Sequence, residues 1–204
     1  MHISWLGSTS IKLQTKSFDE DVVIAIDPYR PAAGNFPRSM SPQIALFTRG
    51  QEGAVTLTGS PFVLDTPGEC DSKGILVTAV PGEVPGRTML RIDAEQLSLA
   101  HLGSTAKPLT EAQREVLSDV DILFVPVGGK DCYDAEAAVK TVNDLEPRVV
   151  IPVAYQSESD PEAATVDAFL KEMGASGAAR EAKVIIKKKD LPTEETQVIV
   201  LTKE

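Results

Sequence analysis

Histidine and cysteine are scarce in this chain, with two of each among 204 residues. His2 and His101 lie far apart, as do Cys70 and Cys132, and neither histidine has a second one at metal-ligand spacing. Zinc is held mostly by imidazole and thiolate, typically through three protein ligands in a catalytic centre, so the donors of an ordinary zinc site are missing. Thirty Asp and Glu are available for a harder cation, but no compact acidic cluster stands out. The two cysteines read as free thiols, not as a disulfide. Basic residues are also in deficit, 20 Lys and Arg against those 30 acids, for a formal net charge of -10. Such a balance repels a phosphate backbone, whose binding depends on cationic side chains displacing counterions, and excludes nucleic acid as an expected partner. No apolar run approaches the ~18 residues of a membrane span. Residues 1–13 also lack the basic-then-apolar pattern of a secretory signal. A cytoplasmic protein without membrane association is the expectation.

What is present is a chain with 42% hydrophobic residues, long enough to bury a substantial core as one domain over residues 1–204. Short β-branched runs at 22–26, 44–47, 55–57, 62–64, 75–80 and 89–92 are separated by Gly, Pro, Asn or Asp, the pattern of strands and turns. Continuous apolar runs at 122–127 and 149–153 predict fully buried strands. Thr110 caps an expected helix over 111–117, and Asp134 caps another reaching Leu145, ended by Pro147. Asp160 and Pro161 predict the start of a third, with Val166, Phe169, Leu170 and Met173 as its apolar stripe and Gly174 as its stop. Residues 27–42 form an irregular surface loop, 197–201 a last strand, and Lys187-Lys188-Lys189 a solvated strand end. Glu69 and Cys70 read as part of the turn at Pro67-Gly68, and Gly128-Gly129 as a tight turn after a buried strand.

Seven segments in order resemble the metallo-β-lactamase superfamily, in particular its small stand-alone Zn-dependent hydrolase-like group. They are Ser4-Trp5-Leu6-Gly7, Ile26-Asp27-Pro28, Pro67-Gly68-Glu69, His101-Leu102-Gly103, Val120-Asp121-Ile122-Leu123, Pro126-Val127-Gly128-Gly129 and Ile151-Pro152-Val153. The resemblance implies an α+β fold, a four-layer αββα sandwich of two mixed β-sheets with helices outside. It also implies where metal ligands belong. If Thr48 precedes the family's His-x-His-x-Asp-His signature, its histidines fall on Arg49, Gln51 and Ala54 and its aspartate on Gly53. The bridging aspartate falls on Ser104, and the histidine of the Ile-Pro-x-His-Tyr segment on Ala154. Relatives use Zn, Mn or Fe; here every one of those ligands is replaced, so no metal or other cofactor is expected.

These replacements predict a protein of this fold that has lost its metal centre and serves as a non-catalytic binding, scaffold or regulatory domain. Its expected partner is another protein or a small anionic ligand, with a homo-oligomer compatible. Asp27, Arg49, Gln51, Glu52, His101, Ser104 and Tyr155 are the polar groups expected to remain in the old cleft, and a buried Arg49 would need a carboxylate such as Glu52 or Asp27. The alternatives are a metal-dependent hydrolase with an atypical site, or a metal-free enzyme using His101, Ser104 and Asp27 as base, nucleophile and orienting acid, which requires hydrogen-bond reach and an oxyanion hole.

Overall fold

A computed structural model describes the whole chain, residues 1–204. The first strands are β1 (His2–Gly7), β2 (Ser10–Ser17) and β3 (Glu20–Ile26). In β2 the buried Ile11, Leu13 and Thr15 alternate with the more exposed Lys12, Gln14 and Lys16, the period-two pattern of a strand with one face in the core. Next come β4 (Ser39–Met40), β5 (Ile44–Leu46), β6 (Thr56–Leu57), β7 (Phe62–Leu64) and β8 (Gly68–Ser72). A meander follows, of β9 (Ile75–Pro81), β10 (Thr88–Ala94) and β11 (Leu97–His101). Helices then alternate with strands: α1 (Glu111–Leu117), β12 (Ile122–Pro126), α2 (Ala135–Leu145), β13 (Val149–Val153) and α3 (Asp167–Glu172). Four short strands close the chain: β14 (Arg180–Glu181), β15 (Val184–Ile185), β16 (Gln197–Val198) and β17 (Val200–Leu201).

Two mixed sheets result, in the orders β15-β1-β2-β3-β5-β7 and β16-β13-β12-β11-β10-β9-β8. Each joins an antiparallel meander to parallel strands, β3-β5-β7 in the first and β11-β12-β13-β16 in the second. Every residue of β12 and β13 is buried, as parallel strands covered on both faces require. One continuous apolar core takes residues from both sheets and all three helices, among them Trp5, Leu13, Ile92, Phe124, Val142 and Phe169. α1 rests on β9 and β10, and α2 rests on β12 with α3 beside it. The expected α+β sandwich of two mixed sheets is therefore the observed architecture. The helical cover lies beside the second sheet, and no helix occurs between β3 and β8.

Local chemistry explains most boundaries. Thr110 and Gln113 form a reciprocal capping box at the start of α1, and the Asp134 side chain accepts from Ala137 N at the start of α2. α3 corrects the expectation: it begins at Asp167 with no side-chain cap, not at Pro161. In a helix from Asp160 the Ala164 N–H would bond four residues back, but it donates instead to Gly128 O at 2.9 Å. The final strand is split, because β16 pairs with β13 while β17 turns to pair with β14. Glu69 and Cys70 also depart from the expected turn, lying in the edge strand β8 opposite Thr78 and Val77. Lys188 is not simply solvated: it sits in a 3-10 turn and reaches the buried Asp121, 2.8 Å from both carboxylate oxygens. Asp121 also accepts from Ser98 N at 3.0 Å, tying β11 to the start of β12. Removing one partner of a buried charged pair is strongly destabilising. With Lys188 half exposed, Asp121→Ala is expected to cost about 2 kcal/mol in urea unfolding, and Lys188→Met less than half of that.

Candidate functional site

Where β3 ends, Asp27 turns into the left-handed region at φ 50° and is wholly excluded from solvent. Its carboxylate accepts from Thr48 N and from Thr48 Oγ1, both at 2.7 Å, while its own N–H donates to Leu46 O at 2.8 Å. A buried carboxylate is tolerated when donors take its lone pairs. The result is mechanical: the loop leaving β5 is pinned to the loop leaving β3, and Arg49 follows directly.

His101 ends β11 and is also fully buried. Its Nε2 lies 2.9 Å from Thr9 O, and its Nδ1 accepts from Gly103 N at 3.1 Å, which assigns the proton to Nε2. Burial disfavours the imidazolium and holds the pKa below its ordinary value of 6.5. An unfolded chain therefore takes up a proton below about pH 6.5 that the folded one refuses, and stability falls as the pH drops from there toward the folded pKa. The expected slope is about 1.4 kcal/mol per pH unit in that window. A His101→Gln variant should melt at a lower temperature at neutral pH but lose this acid-side slope; an unchanged slope would assign it to other groups.

Arg49 stands over the Tyr29 ring, 4.0 Å from its centre. The Tyr29 hydroxyl donates to Gly50 O at 2.8 Å and accepts from Arg49 N at 3.1 Å. Burial, then the Asp27 charge, pushes this phenol well above its usual range, so it stays neutral and holds the loop. Arg49, Ser104 and Ala154 all line one cavity of about 220 Å³, together with Arg87 and Cys132. Ser104 Oγ donates to Asp131 O at 3.1 Å and lies 3.6 Å from Cys132 Sγ, while its carbonyl accepts from Arg87 at 2.9 Å. Burial pushes the Cys132 thiol up, keeping it protonated. Ala154 adopts φ 57°, a costly conformation for a residue with a Cβ, and donates to Ser8 O at 2.8 Å. A Cβ on Gly128 would sit 1.9 Å from Ala154 O, so this wall of the cavity admits only glycine there.

Asp27 lines a neighbouring cavity of about 350 Å³ that also touches Ser8, Thr9 and Arg49, and His101 is sealed beneath Thr9 and Gly103. The remaining expected residues lie elsewhere. Gln51 donates to Asp65 at 2.7 Å on an exposed loop, and Glu52 and Gly53 are exposed beside it. Ala54 bridges to Tyr29 and packs on the small cluster of Tyr29, Ala45 and Phe47. Tyr155 is buried against Trp5 with ring centres 4.3 Å apart, and its hydroxyl donates to Leu201 O. Burial raises that phenol to about 12. Arg49 is exposed and rests on an aromatic face, so the carboxylate partner that a buried Arg49 would need, Glu52 or Asp27, is not required.

Arg87, Lys130 and Cys132 are cleft residues that pattern reading missed. Arg87 follows the Gly82–Gly86 turn segment and Lys130 the Gly128-Gly129 pair, so the only available signal was a basic residue next to glycines. No three His, Cys, Asp or Glu side chains lie together in an arrangement able to hold a metal ion. Of the side chains at Arg49, Ser104 and Ala154, a guanidinium, a hydroxyl and a methyl group, only the hydroxyl has a lone pair to offer, and this set does not fit a divalent cation.

Comparison with solved structures supports the architecture. A chain described as a Zn-dependent hydrolase of the metallo-β-lactamase superfamily from Thermotoga maritima superposes with a TM-score of 0.80 at 24% identity, covering 98% of both chains. A metallo hydrolase from Ignicoccus hospitalis gives 0.64 at 14% identity over 91% of this chain and 99% of that one. In sequence, a protein named as a metal-dependent hydrolase from Methanopyrus kandleri is 25% identical over 79% of this chain and 89% of its own length. The family model described as "Beta-lactamase superfamily domain" matches residues 2–154, which span every strand of the first sheet except β15, the meander, β12, β13 and the cavity-lining Arg49, Ser104 and Ala154, and the chain belongs to that family.

Proposed function

We propose that this member of the superfamily has lost the metal centre and works by binding, as a non-catalytic ligand-binding, scaffold or regulatory domain. One observation carries the reading: three of the positions to which the resemblance assigns metal ligands, Arg49, Ser104 and Ala154, line one cavity. A cation beside a guanidinium would be repelled, and hydrolysis in this family's manner depends on a metal lowering the pKa of bound water. The buried frame around those positions persists, in the Asp27 hydrogen bonds to Thr48 and the His101 bonds to Thr9 and Gly103.

Metal-free catalysis by His101 and Ser104 has little support. Both imidazole nitrogens are engaged by main-chain groups, and Ser104 Oγ is committed to Asp131 O, so no base is free to accept a hydroxyl proton. After incubation with Zn, Mn or Fe, the chain is expected to show no chelator-sensitive hydrolysis of chromogenic phosphodiester, thioester or β-lactam substrates. Turnover that disappears with chelator and returns with metal would contradict the proposal.

A further inference from the structure

We infer that the cleft beside Arg49 binds a compact oxyanion, a phosphate or carboxylate group on a small hydroxyl- or amino-bearing molecule. The inference rests on the metal-free reading above and adds the class of ligand. Arg49 and Arg87 line the same cavity, and neither forms an ion pair with a carboxylate of the chain. Arg87 spends one N–H on Ser104 O, and the Arg49 guanidinium stands over the Tyr29 ring with no side-chain hydrogen bond to the chain, so most of their donors are unused. Planar guanidinium forks match the paired oxygens of phosphate and carboxylate. Tyr29 holds Arg49 in place before any ligand arrives, which reduces the ordering cost of binding.

Main-chain donors add to this. The N–H groups of Ser8, Thr9, Gly128 and Lys130 belong to residues lining the cavity and donate to no carbonyl of the chain. Successive free amides in loops are a recurrent way to hold an anion. Size guides the choice of occupant: a cavity of about 220 Å³ has room for an oxyanion with a few carbons. Charge limits it further. Asp131 and Asp160 also line the cavity, and Lys130 is drawn toward Glu162 at 3.5 Å. Two arginines and two aspartates thus line the cavity, and a bare dianion would satisfy only the arginines. A ligand with hydroxyl or amino donors beside its anionic group satisfies both.

Titration calorimetry at low ionic strength with inorganic phosphate, glycerol 3-phosphate and glycerate tests this. Glycerol 3-phosphate or glycerate is expected to fill one saturable site per chain, and the tighter of the two identifies phosphate or carboxylate as the preferred group. Arg49→Gln and Arg87→Gln should each weaken that binding by about tenfold or more, the loss expected for a charge-assisted hydrogen bond. Lys140→Gln on α2 should leave it unchanged. Amide resonances of Ser8, Thr9, Gly128 and Lys130 should shift in the wild-type chain, a readout independent of variant folding. No saturable binding by either organic probe, unchanged affinity in either arginine variant, or indifference of those four amides would overturn the inference. Repeating the titration with EDTA separates the two readings: binding that EDTA abolishes counts against the metal-free proposal, whereas absence of binding with and without EDTA counts against the oxyanion site alone.

Discussion

Asp27→Ala is expected to lower the unfolding free energy by about 2–4 kcal/mol, a large share of the roughly 5–15 kcal/mol typical of a folded domain. The carboxylate is the sole acceptor for two buried Thr48 donors, N–H and Oγ1–H, each at 2.7 Å. Truncation leaves both unsatisfied in a region without solvent, at about 1–3 kcal/mol apiece, offset in part because an ionised group no longer has to be desolvated. Asp27→Asn is the discriminating control. Its amide oxygen still accepts from Thr48 N, and the Thr48 hydroxyl can rotate to accept from the amide nitrogen, so a loss of only about 1 kcal/mol is expected. Urea unfolding of the two variants gives the comparison. Equal losses would mean that the charge, not the pair of hydrogen bonds, holds the loops together.

The second large effect is a gain. If Arg49, Ser104 and Ala154 occupy former ligand positions around one cavity, then Arg49→His, Ser104→Asp and Ala154→His combined should create a binding site for about one zinc per chain, with a Kd in the micromolar range or tighter. Arg49→His alone should do little, since one imidazole cannot hold the ion. The left-handed backbone at residue 154 is no obstacle, because histidine enters that region more readily than most side chains. A triple variant that folds and binds no zinc would show that the three positions share a wall without pointing to a common centre.

Much of the fold was legible because its signals are local. The continuous apolar runs at β12 and β13, the Thr110 and Asp134 caps and the Pro147 stop all act within a few residues. α3 was misjudged because the Ala164 N–H goes to Gly128, a contact between distant segments that no local pattern reports. β2 gives no continuous apolar run because polar Lys12, Gln14 and Lys16 alternate with core residues. The edge strand β8 was hidden for a related reason: its exposed Glu69 and Asp71 look like turn chemistry, and pairing with β9 is what makes it a strand.

The site was legible at its frame and less so at its rim. Asp27 is tied to Thr48 and His101 to Thr9 and Gly103 in buried hydrogen bonds, and Arg49, Ser104 and Ala154 share the cavity. Gln51, Glu52 and Gly53 diverge because the loop after β5 swings outward, with Gln51 drawn to Asp65. Tyr155 follows Ala154 in sequence but, after the turn there, points into the core beside Trp5. Arg87 and Lys130 had no periodic or spacing signal; only folding brings them to Arg49.

The most direct test of the central claim is metal content. Untagged protein would be incubated with Zn, Mn or Fe, desalted exhaustively and measured by elemental mass spectrometry. The account predicts near-zero stoichiometry for all three. About one or two tightly held ions per chain, the complement of a mono- or dinuclear hydrolase centre, would contradict it.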